Sequence, residues 1–432
     1  MAKYFDIIVV GAGPAGSLAA LKLARAGLNV CLLERGQHPG AKNMFGGLLH
    51  NTPALNELIP SFWEKAPLER HVYKKVLAFM TPESAVSLSF ENENFDRPPY
   101  NGYTVLRPAF DNWLANQAVK EGALLLCDCT VDEPIMKGGQ VVGVSVKGRE
   151  GELRANIVIA ADGVLSFLAE KVGLREKFNS GTLGVGIKLL LGLPEATINE
   201  RFHLVRDQGA DISFLGIPEG IRGGSFLYTN RESISVGTVI HLDSLRNSGR
   251  APHEILEDLL QHPQVKKLVK SSVPLEYSAH LVPEGGVKTM PPVYMDGMML
   301  VGDAAGLCYT NGINLEGINL AMTSGVLAAE TAIEAIEAGD YSARMMALYK
   351  KKLDESYVIK DMKKFNKSVD MMHLDRLYGT YPQLLAGIME KMYKVDGTPR
   401  AGFFGLARRE AVKKVGIKNL VSDSIKIGRA LL

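Results

Sequence analysis

The N-terminal end of the chain alternates apolar runs with a stretch of helical periodicity. Residues 5–10 (FDIIVV) and 29–34 (NVCLLE) are apolar runs of strand length. Between them, residues 14–26 repeat small and apolar side chains at helical spacing, and this stretch ends at Gly27. A strand, a helix and a second strand in this order predict a βαβ unit. The chain is therefore expected to begin a parallel sheet.

The next segment continues with further strands and one more helix. Strand-like runs separated by turn residues occupy 73–106, and a proline opens a predicted helix at 108–122. Two or three strands are expected in 123–149, followed by a buried strand at 156–161. The continuous apolar character of that last run is typical of a strand covered on both faces.

A different pattern begins near residue 183 and continues to about 283. Short strands with alternating apolar and polar residues dominate it, with turns expected at Gly223-Gly224 and near Asn230. One helix, around 253–261, interrupts the strands. Alternation with a period of two predicts antiparallel strands that are buried on one face. We interpret this segment as an antiparallel module inserted into the first domain.

The apolar run at 297–302 returns to the buried type, a long helix follows near 316–338, and the chain is mostly helical from 342 onward. The fold class is therefore α/β with an inserted sheet module. Four segments are expected: a first domain at 1–182 with a short β excursion near 73–106, the inserted module at 183–285, the rest of the first domain at 286–341, and a helical region at 342–432.

Composition limits the classes of function. The chain has 432 residues, of which 46% are hydrophobic and 22% charged, with a net charge of +2. These values are ordinary for a globular protein, and a general nucleic-acid binder would be far more basic. The start of the chain shows no signal-peptide pattern, and no run of 18 apolar residues occurs. We therefore expect a cytoplasmic protein without a spanning helix, for which attachment to a membrane surface stays possible.

The turn after the first strand carries the clearest chemical motif, Gly11-Ala12-Gly13-Pro14-Ala15-Gly16. Gly11 permits a tight turn, Gly13 lets the backbone approach a pyrophosphate, and Gly16 lets the helix pack on the strand. Glu34 ends the second strand, where an acid can hold ribose hydroxyls. This context predicts a dinucleotide site; the alternative is a glycine-rich turn that serves packing alone.

Three further motifs are weaker when each is taken alone. Asp303 lies in Val301–Gly306 at the end of a predicted strand, where it could face a polyol or simply cap a helix. Asp162 lies in Ala161-Asp162-Gly163, which alone indicates only a turn. Arg107 and Asp111 stand at the entry of the helix at 108–122, where an ordinary surface ion pair is the alternative.

Together the four motifs resemble a group of FAD-dependent oxidoreductases that includes p-hydroxybenzoate hydroxylase, geranylgeranyl reductase and electron-transfer flavoprotein–quinone oxidoreductase. Three stretches are similar to the FixC-type branch: Gly40–Gly47, Ser278–Gly286 and Gly302–Gly325. FixC-type proteins are the flavin subunits of electron-transfer flavoprotein–quinone oxidoreductases. The resemblance extends from residue 4 to about 370.

This resemblance implies a GR2-type, Rossmann-like FAD-binding domain with FAD as the cofactor. The nine histidines show no metal-ligand spacing, and no Cys–His or Ser–His–Asp constellation is recognisable, so no metal ligand and no catalytic side chain is expected. This suits electron transfer, in which the cofactor carries the chemistry. The residues that the resemblance implies for FAD binding are Gly11, Ala12, Gly13, Pro14, Ala15, Gly16, Glu34, Arg35, Gly46, Gly47, Arg107, Val131, Gly302, Asp303, Gly317 and Ile318.

Two features of the sequence depart from the pattern of the family. Single-chain members carry a C-terminal four-cysteine [4Fe–4S] module, but no cysteine follows Cys308 here. In the FixC-type arrangement that cluster belongs to a separate ferredoxin-like subunit, so we expect the isolated chain to hold no cluster. The family often has glutamate after the lysine at position 188, where this chain has Leu189.

The function that the resemblance implies is electron transfer. Electrons would come from the electron-transfer flavoprotein subunits, involve a ferredoxin-like [4Fe–4S] partner and this FAD, and reach a membrane quinone through the inserted module. Two alternatives stay open: a geranylgeranyl-reductase-type enzyme that reduces prenyl lipids, and a prenyl- or lipid-binding protein of the same fold without enzymatic activity.

The last residues form a basic segment with apolar side chains. Residues 400–432 carry eight basic and two acidic residues, a net charge of +6, together with Phe403 and Phe404. Such a segment suits contact with a membrane surface, here the inner face of the cell membrane. A solvated charged face or a subunit dock explains the same composition.

Overall fold

The computed structural model describes residues 3–43, 46–148, 151–176, 180–312, 314–399 and 401–431. Its strands are β1 Lys3–Val10, β2 Val30–Leu33, β3 Gly47–His50, β4 Leu68–Met80, β5 Ala85–Glu91, β6 Gly102–Val105, β7 Leu124–Leu126, β8 Val131–Lys137, β9 Gln140–Val146, β10 Glu152–Ala160, β11 Leu183–Gly192, β12 Gln208–Leu215, β13 Gly223–Thr229, β14 Ser233–His241, β15 Val273–Pro283, β16 Tyr294–Met295, β17 Met298–Leu300, β18 Tyr309–Thr310 and β19 Leu315–Glu316.

The helices follow the same chain order. They are α1 Pro14–Arg25, α2 Pro53–Leu58, α3 Arg107–Lys120, α4 Phe167–Lys171, α5 Glu195–Phe202, α6 Leu242–Ser248, α7 Pro252–Gln261, α8 Pro263–Val269, α9 Ile318–Ala338, α10 Ala343–Glu355, α11 Tyr357–Lys364, α12 Asn366–Met372, α13 Thr380–Tyr393, α14 Phe403–Val415 and α15 Ile417–Leu431.

The first sheet has a parallel centre in the order β17-β10-β1-β2-β7. In β1, Ile7 pairs with Val30 on one side and Ile157 on the other. Ile7, Ile8 and Val9 are fully buried, as expected for a parallel strand that is covered on both faces. The predicted βαβ unit is confirmed, and the hairpin β8–β9 extends this sheet along β10.

The second sheet has the order β15-β11-β14-β13-β12-β4-β6-β3, with β5 on β4. It combines strands from residues 183–283 with strands from 47–105, and these two parts join where β4 and β12 pair in parallel. The other pairs are antiparallel. The strands near 73–106 thus belong to the same sheet as the inserted segment.

Two details of the inserted segment differ from the sequence predictions. Gly223-Gly224 begins strand β13 instead of forming a turn, because both residues pair with β14. Helices α5, α6 and α8 accompany the single predicted helix, α7. They are only seven or eight residues long, which is too short for a clear helical periodicity. The hairpin turn near Asn230 lies where it was predicted.

Helices α1 and α9 cross at close range. Helix α1 packs against α9, and a Cβ on Gly325 would lie 2.2 Å from the backbone oxygen of Ala15. Only glycine allows the helices to approach this closely at that position. This crossing places the N-terminus of α1 beside the 3₁₀ turn Gly302–Ala305, which precedes α9.

The C-terminal helices are held by small apolar clusters and one buried ion pair. Leu384 and Ile388 of α13 pack against Leu406 of α14. Asp423 of α15 is fully buried and accepts two hydrogen bonds from Arg376, at 2.6 and 2.7 Å, and one from the Tyr381 hydroxyl at 2.7 Å. The predicted helical C-terminal region is therefore confirmed. None of the described helices is long and apolar enough to cross a membrane.

Candidate functional site

A cavity of about 530 Å³ lies between the two sheets, at the carboxyl ends of β1 and β2. Binding sites of open α/β sheets occupy this end of the strands. Of the sixteen residues predicted from the sequence, all except Ala12 and Gly16 line this cavity. The tertiary structure thus brings together positions that are up to about three hundred residues apart in the chain.

The glycine turn forms one end of the cavity. Gly11 has φ +104°, and a Cβ there would lie 2.3 Å from the Ala161 oxygen. A Cβ on Gly16 would lie 1.9 Å from the Gly11 oxygen, so Gly16 serves the contact between helix and strand. By contrast, a Cβ on Gly13 would meet no protein atom within 4 Å. The space in front of Gly13 is open to a ligand.

Glu34 is held firmly beside this turn. Its carboxylate accepts hydrogen bonds from the backbone N–H groups of Ala12, at 3.1 Å, and Gly36, at 2.7 Å. The side chain is buried but lines the cavity. Ala12 therefore contributes by positioning Glu34, although its own side chain lies away from the cavity. Arg35, the next residue, is exposed at the cavity rim.

Arg107 and Asp303 carry opposite charges on the cavity wall. Arg107 begins α3 and donates two hydrogen bonds of 2.8 Å to Asp111, which is completely buried. Burial opposes the charge of Arg107, but the carboxylates of Asp111 and, more weakly, Asp303 outweigh it and raise the pKa of Arg107. Burial raises the pKa of Asp303, although Arg107 acts against this. The Arg107–Asp111 ion pair thus has a completely buried carboxylate and a largely buried guanidinium group.

The loop before β3 approaches the second sheet at Gly46. This residue has φ +73°, and a Cβ would lie 2.2 Å from the Ser235 Oγ atom. Its oxygen accepts a hydrogen bond of 2.5 Å from the Lys188 Nζ atom. Gly47 also lines the cavity. Met44 and Phe45 of the predicted Gly40–Gly47 stretch, and Ile313 of the Gly302–Gly325 stretch, lie outside the described residues.

Strand β13 gives the cavity an aromatic floor. The rings of Phe226 and Tyr228 stack with centroids 4.8 Å apart and an interplanar angle of 17°. Opposite Tyr228 on β12, Asp211 also lines the cavity and forms an ion pair of 3.1 Å with Lys75. Burial, with a smaller contribution from Asp211, raises the pKa of the Tyr228 hydroxyl. This phenol therefore stays protonated and neutral.

Sequence reasoning missed several residues that line the same cavity. The Ala161–Gly163 turn contributed to the family resemblance, but Asp162 was not predicted as a site residue; it lines the cavity and accepts a hydrogen bond of 2.8 Å from Ser166. Lys188 was noted only for the residue that follows it. A lysine within the apolar run GVGIKLLL is a signal that could have identified it, because lysine is rarely buried without a reason.

The far wall holds two histidines. The Nδ1 atom of His241 lies 2.9 Å from a carboxylate oxygen of Glu284. Burial lowers the pKa of His280, and the charges of Arg107 and Arg35 lower it further. In the described part of the chain, no group of three or more His, Cys, Asp or Glu side chains could hold a metal ion.

These features fit FAD. The first-turn N–H groups of α1 have no acceptor within the helix, and they stand beside the open space at Gly13, as a bound pyrophosphate requires. Glu34, Arg107 and Asp303 supply polar groups along the same cavity. FAD would bring the redox chemistry, namely the reversible uptake of two electrons. The protein would bind, orient and shield it.

Comparisons with known proteins agree with this fit. The FAD dependent oxidoreductase family matches residues 6–172, and the ETF-QO/FixC family C-terminal domain matches residues 369–432. A solved structure, a geranylgeranyl bacteriochlorophyll reductase-like protein from Thermoplasma acidophilum, has a TM-score of 0.72 and 24% identity, and the alignment covers 99% of this chain and 100% of that one. At this identity the likeness shows the fold alone.

Fold and site together define an FAD-dependent oxidoreductase. The probable electron transfer flavoprotein-quinone oxidoreductase YdiS of Escherichia coli is 43% identical over 99% of both chains. Protein FixC of Bradyrhizobium diazoefficiens is 39% identical over 99% of this chain and 98% of its own. The chain belongs to the electron transfer flavoprotein–quinone oxidoreductase/FixC family. The predicted family and cofactor are confirmed, and the alternative of a lipid-binding protein without enzymatic activity is set aside.

Proposed function

We propose that this chain is the FAD subunit that receives electrons from an electron transfer flavoprotein, together with a ferredoxin-like [4Fe–4S] partner, and passes them to a membrane quinone. The full-length likeness to a probable electron transfer flavoprotein–quinone oxidoreductase carries this proposal. In it, the sixteen residues predicted from the sequence contact or position FAD, and the second sheet receives the quinone.

The shape and chemistry of the second sheet support a quinone as the electron acceptor. The cavity continues from the glycine turn to the stacked rings of Phe226 and Tyr228. Leu77, Phe214 and Met372 line it nearby. Stacked aromatic rings with a few polar side chains beside them suit a planar ring that carries two carbonyl oxygens. The acceptor would thus lie in the same cavity as FAD.

A reoxidation experiment tests this function. The FAD-loaded chain is reduced anaerobically and mixed with short-chain ubiquinone or menaquinone analogues while the flavin absorbance is followed. We expect a quinone to restore the oxidised spectrum and Phe226→Asp, which places a charge on the aromatic floor, to slow this at least about tenfold. Val205→Asp, at an exposed residue between α5 and β12, is the control.

Failure of every quinone, with turnover of a prenyl lipid instead, would replace this proposal by the geranylgeranyl-reductase-type activity. The partners are tested separately by co-purification of the tagged chain from its source. Both electron transfer flavoprotein subunits and a ferredoxin-like polypeptide are expected in stoichiometric amounts, and a chain that purifies without them under gentle conditions would contradict this part.

We also propose that the C-terminal helices attach the protein to the inner face of the cell membrane. Ile417, Val421 and Ile425 follow one another at intervals of four residues on α15, and each is at least half exposed. Phe404 on α14 is 86% exposed. The same segment has eight basic residues. Apolar side chains for the interface and positive charges for anionic head groups are the two components of surface binding.

Vesicle co-sedimentation tests the attachment. Phe404→Asp/Val421→Asp/Ile425→Asp changes only exposed side chains, so the fold is expected to persist. We expect binding to vesicles with anionic lipids to fall at least about tenfold. High salt should weaken the wild type, since the Debye length falls from ~10 Å at 0.1 M to ~3 Å at 1 M. Val205→Asp is again the control; equal binding by the triple variant would favour the subunit dock.

A further inference from the structure

Lys188 is a buried cation in the middle of the cavity. It lies on β11, is 5% exposed, and lines the cavity, whereas its neighbour Ile187 faces the apolar core on the other side of the sheet. Its Nζ atom donates a hydrogen bond to the Gly46 oxygen at 2.5 Å. The side chain is therefore held in one place, between the loop before β3 and the sheet.

The other neighbours of the Lys188 amine are aromatic. Gly237 stands opposite Lys188 on β14, and the Phe226 ring of β13 occupies the space that a side chain at Gly237 would fill. As a result, the Nζ atom lies 5.1 Å from the centroid of the Phe226 ring and 5.8 Å from that of Tyr228. Cation–π contacts compensate an ammonium group only in part for the hydration that it loses on burial.

The charged groups around Lys188 do not compensate its charge. On the other side of β11, Ser278 stands opposite and His280 two residues further along β15. The charge of Arg107, on α3, repels the Lys188 ammonium group, and the carboxylate of Asp303 raises the pKa of Arg107. The nearest acid on the β12 side, Asp211, is paired with Lys75.

Among the described residues, no carboxylate lies within ion-pair distance of the Lys188 amine. Burial and the repulsion from Arg107 lower the pKa of Lys188 to about 7. Near neutral pH the amine is therefore partly protonated and partly neutral, whereas an ordinary exposed lysine stays protonated. A negative charge that arrives in the cavity would shift this balance toward the ammonium form.

We propose that Lys188 takes up one proton when the FAD in this cavity is reduced and releases it when the FAD is oxidised again. The proton comes from solvent, one N–H bond forms on the Nζ atom as two electrons arrive, and the same bond breaks when they leave. The amine thereby neutralises part of the charge that reduction adds. The inference rests on the proposed placement of FAD in the cavity, but not on the identity of the electron acceptor.

The protonation of Lys188 makes the reduction potential depend on pH in a definite direction. Well below pH 7 Lys188 is protonated in both redox states, so reduction changes nothing at this residue. Above about pH 7 it is neutral in the oxidised protein and gains a proton on reduction. One extra proton per two electrons changes the redox equilibrium tenfold per pH unit, which is about 30 mV for a two-electron couple.

Redox titration of the FAD-loaded chain tests the inference. The flavin absorbance is followed against reference dyes from about pH 6 to about pH 9, a range that brackets the lowered lysine pKa. Wild type, Lys188→Met and Lys188→Arg are compared. The control is Lys74→Met, on the second sheet, which removes a lysine that pairs with Glu91.

Above about pH 7, the potential of the wild type and of Lys74→Met should fall more steeply with pH than that of Lys188→Met, by about 30 mV per pH unit. Lys188→Arg should lack the extra slope and have a higher potential than Lys188→Met, because arginine stays charged. Equal slopes for the wild type and Lys188→Met would overturn the inference. The flavin absorbance shows whether Lys188→Met keeps its FAD. If it does not, the test rests on Lys188→Arg, and a wild-type slope in that variant would overturn the inference.

Discussion

Gly13→Val should give a folded protein that binds FAD more weakly than the wild type and purifies with less of it. The backbone at Gly13 is extended, with φ −75° and ψ −176°, so valine can adopt it without strain. A Cβ there meets no protein atom, and the valine methyl groups would project into the space in front of the α1 N-terminus. Overpacking costs about 1–3 kcal/mol. With tenfold in affinity for each 1.4 kcal/mol, FAD binding should weaken by about 5- to 150-fold.

The measurement is the ratio of flavin to protein after purification, followed by titration of the apoprotein with FAD. Gly402→Val is a matched control, because Gly402 also precedes a helix, has φ −63°, and has open space around its Cβ position. It should keep its FAD. A Gly13→Val protein that binds FAD as tightly as the wild type would show that the pyrophosphate does not lie at this turn.

Arg107→Met should lower both the stability of the apoprotein and its affinity for FAD. The substitution leaves the Asp111 carboxylate completely buried without its two hydrogen bonds from Arg107. Removing one partner of a buried ion pair costs about 3–5 kcal/mol. The Asn43 amide, which donates to Asp111 at 2.8 Å, offsets only part of this loss. The loss of FAD affinity follows because Arg107 lines the cavity.

Denaturant unfolding of the apoprotein measures the first effect, and FAD titration measures the second. Arg107→Met/Asp111→Leu should recover much of the stability, because no uncompensated charge remains, but not the FAD affinity. Arg250→Met is the control: its pair with Asp258 is largely exposed, and such pairs contribute about 0–1 kcal/mol. An unfolding midpoint of Arg107→Met equal to that of the wild type would contradict the buried ion pair.

The parts of the fold that depend on neighbours in the chain could be predicted from the sequence. The βαβ unit, the helix at Arg107–Lys120 and the long helix Ile318–Ala338 all lie within a few residues of their predicted bounds. Hydrophobic periodicity and glycine or proline at the ends depend only on local geometry. For the same reason the turn Gly11–Gly16 could be associated with a dinucleotide before its surroundings were known.

Short elements and strand pairing could not be predicted in this way. Helices α5, α6 and α8 span only about two turns, and their local pattern does not distinguish them from loops. The strands at 47–105 join the strands at 183–283 through a parallel pair between β4 and β12, which no neighbouring residue specifies. Strand order is decided by which apolar faces can be buried together, and this is a property of the whole chain.

Local sequence thus determined the parallel sheet and the glycine turn, because each depends on residue types at fixed spacing, while the resemblance of the motifs to known flavoproteins indicated the family and its cofactor. Only the tertiary structure decided what surrounds Lys188. Gly237 has no side chain and so leaves room for the Phe226 ring. The Gly46 oxygen accepts a hydrogen bond from Lys188, and the charge of Arg107 on α3 repels the Lys188 amine. Loss of water and repulsion between charges arise only when distant segments meet, and these two effects lower the pKa of Lys188 to about 7.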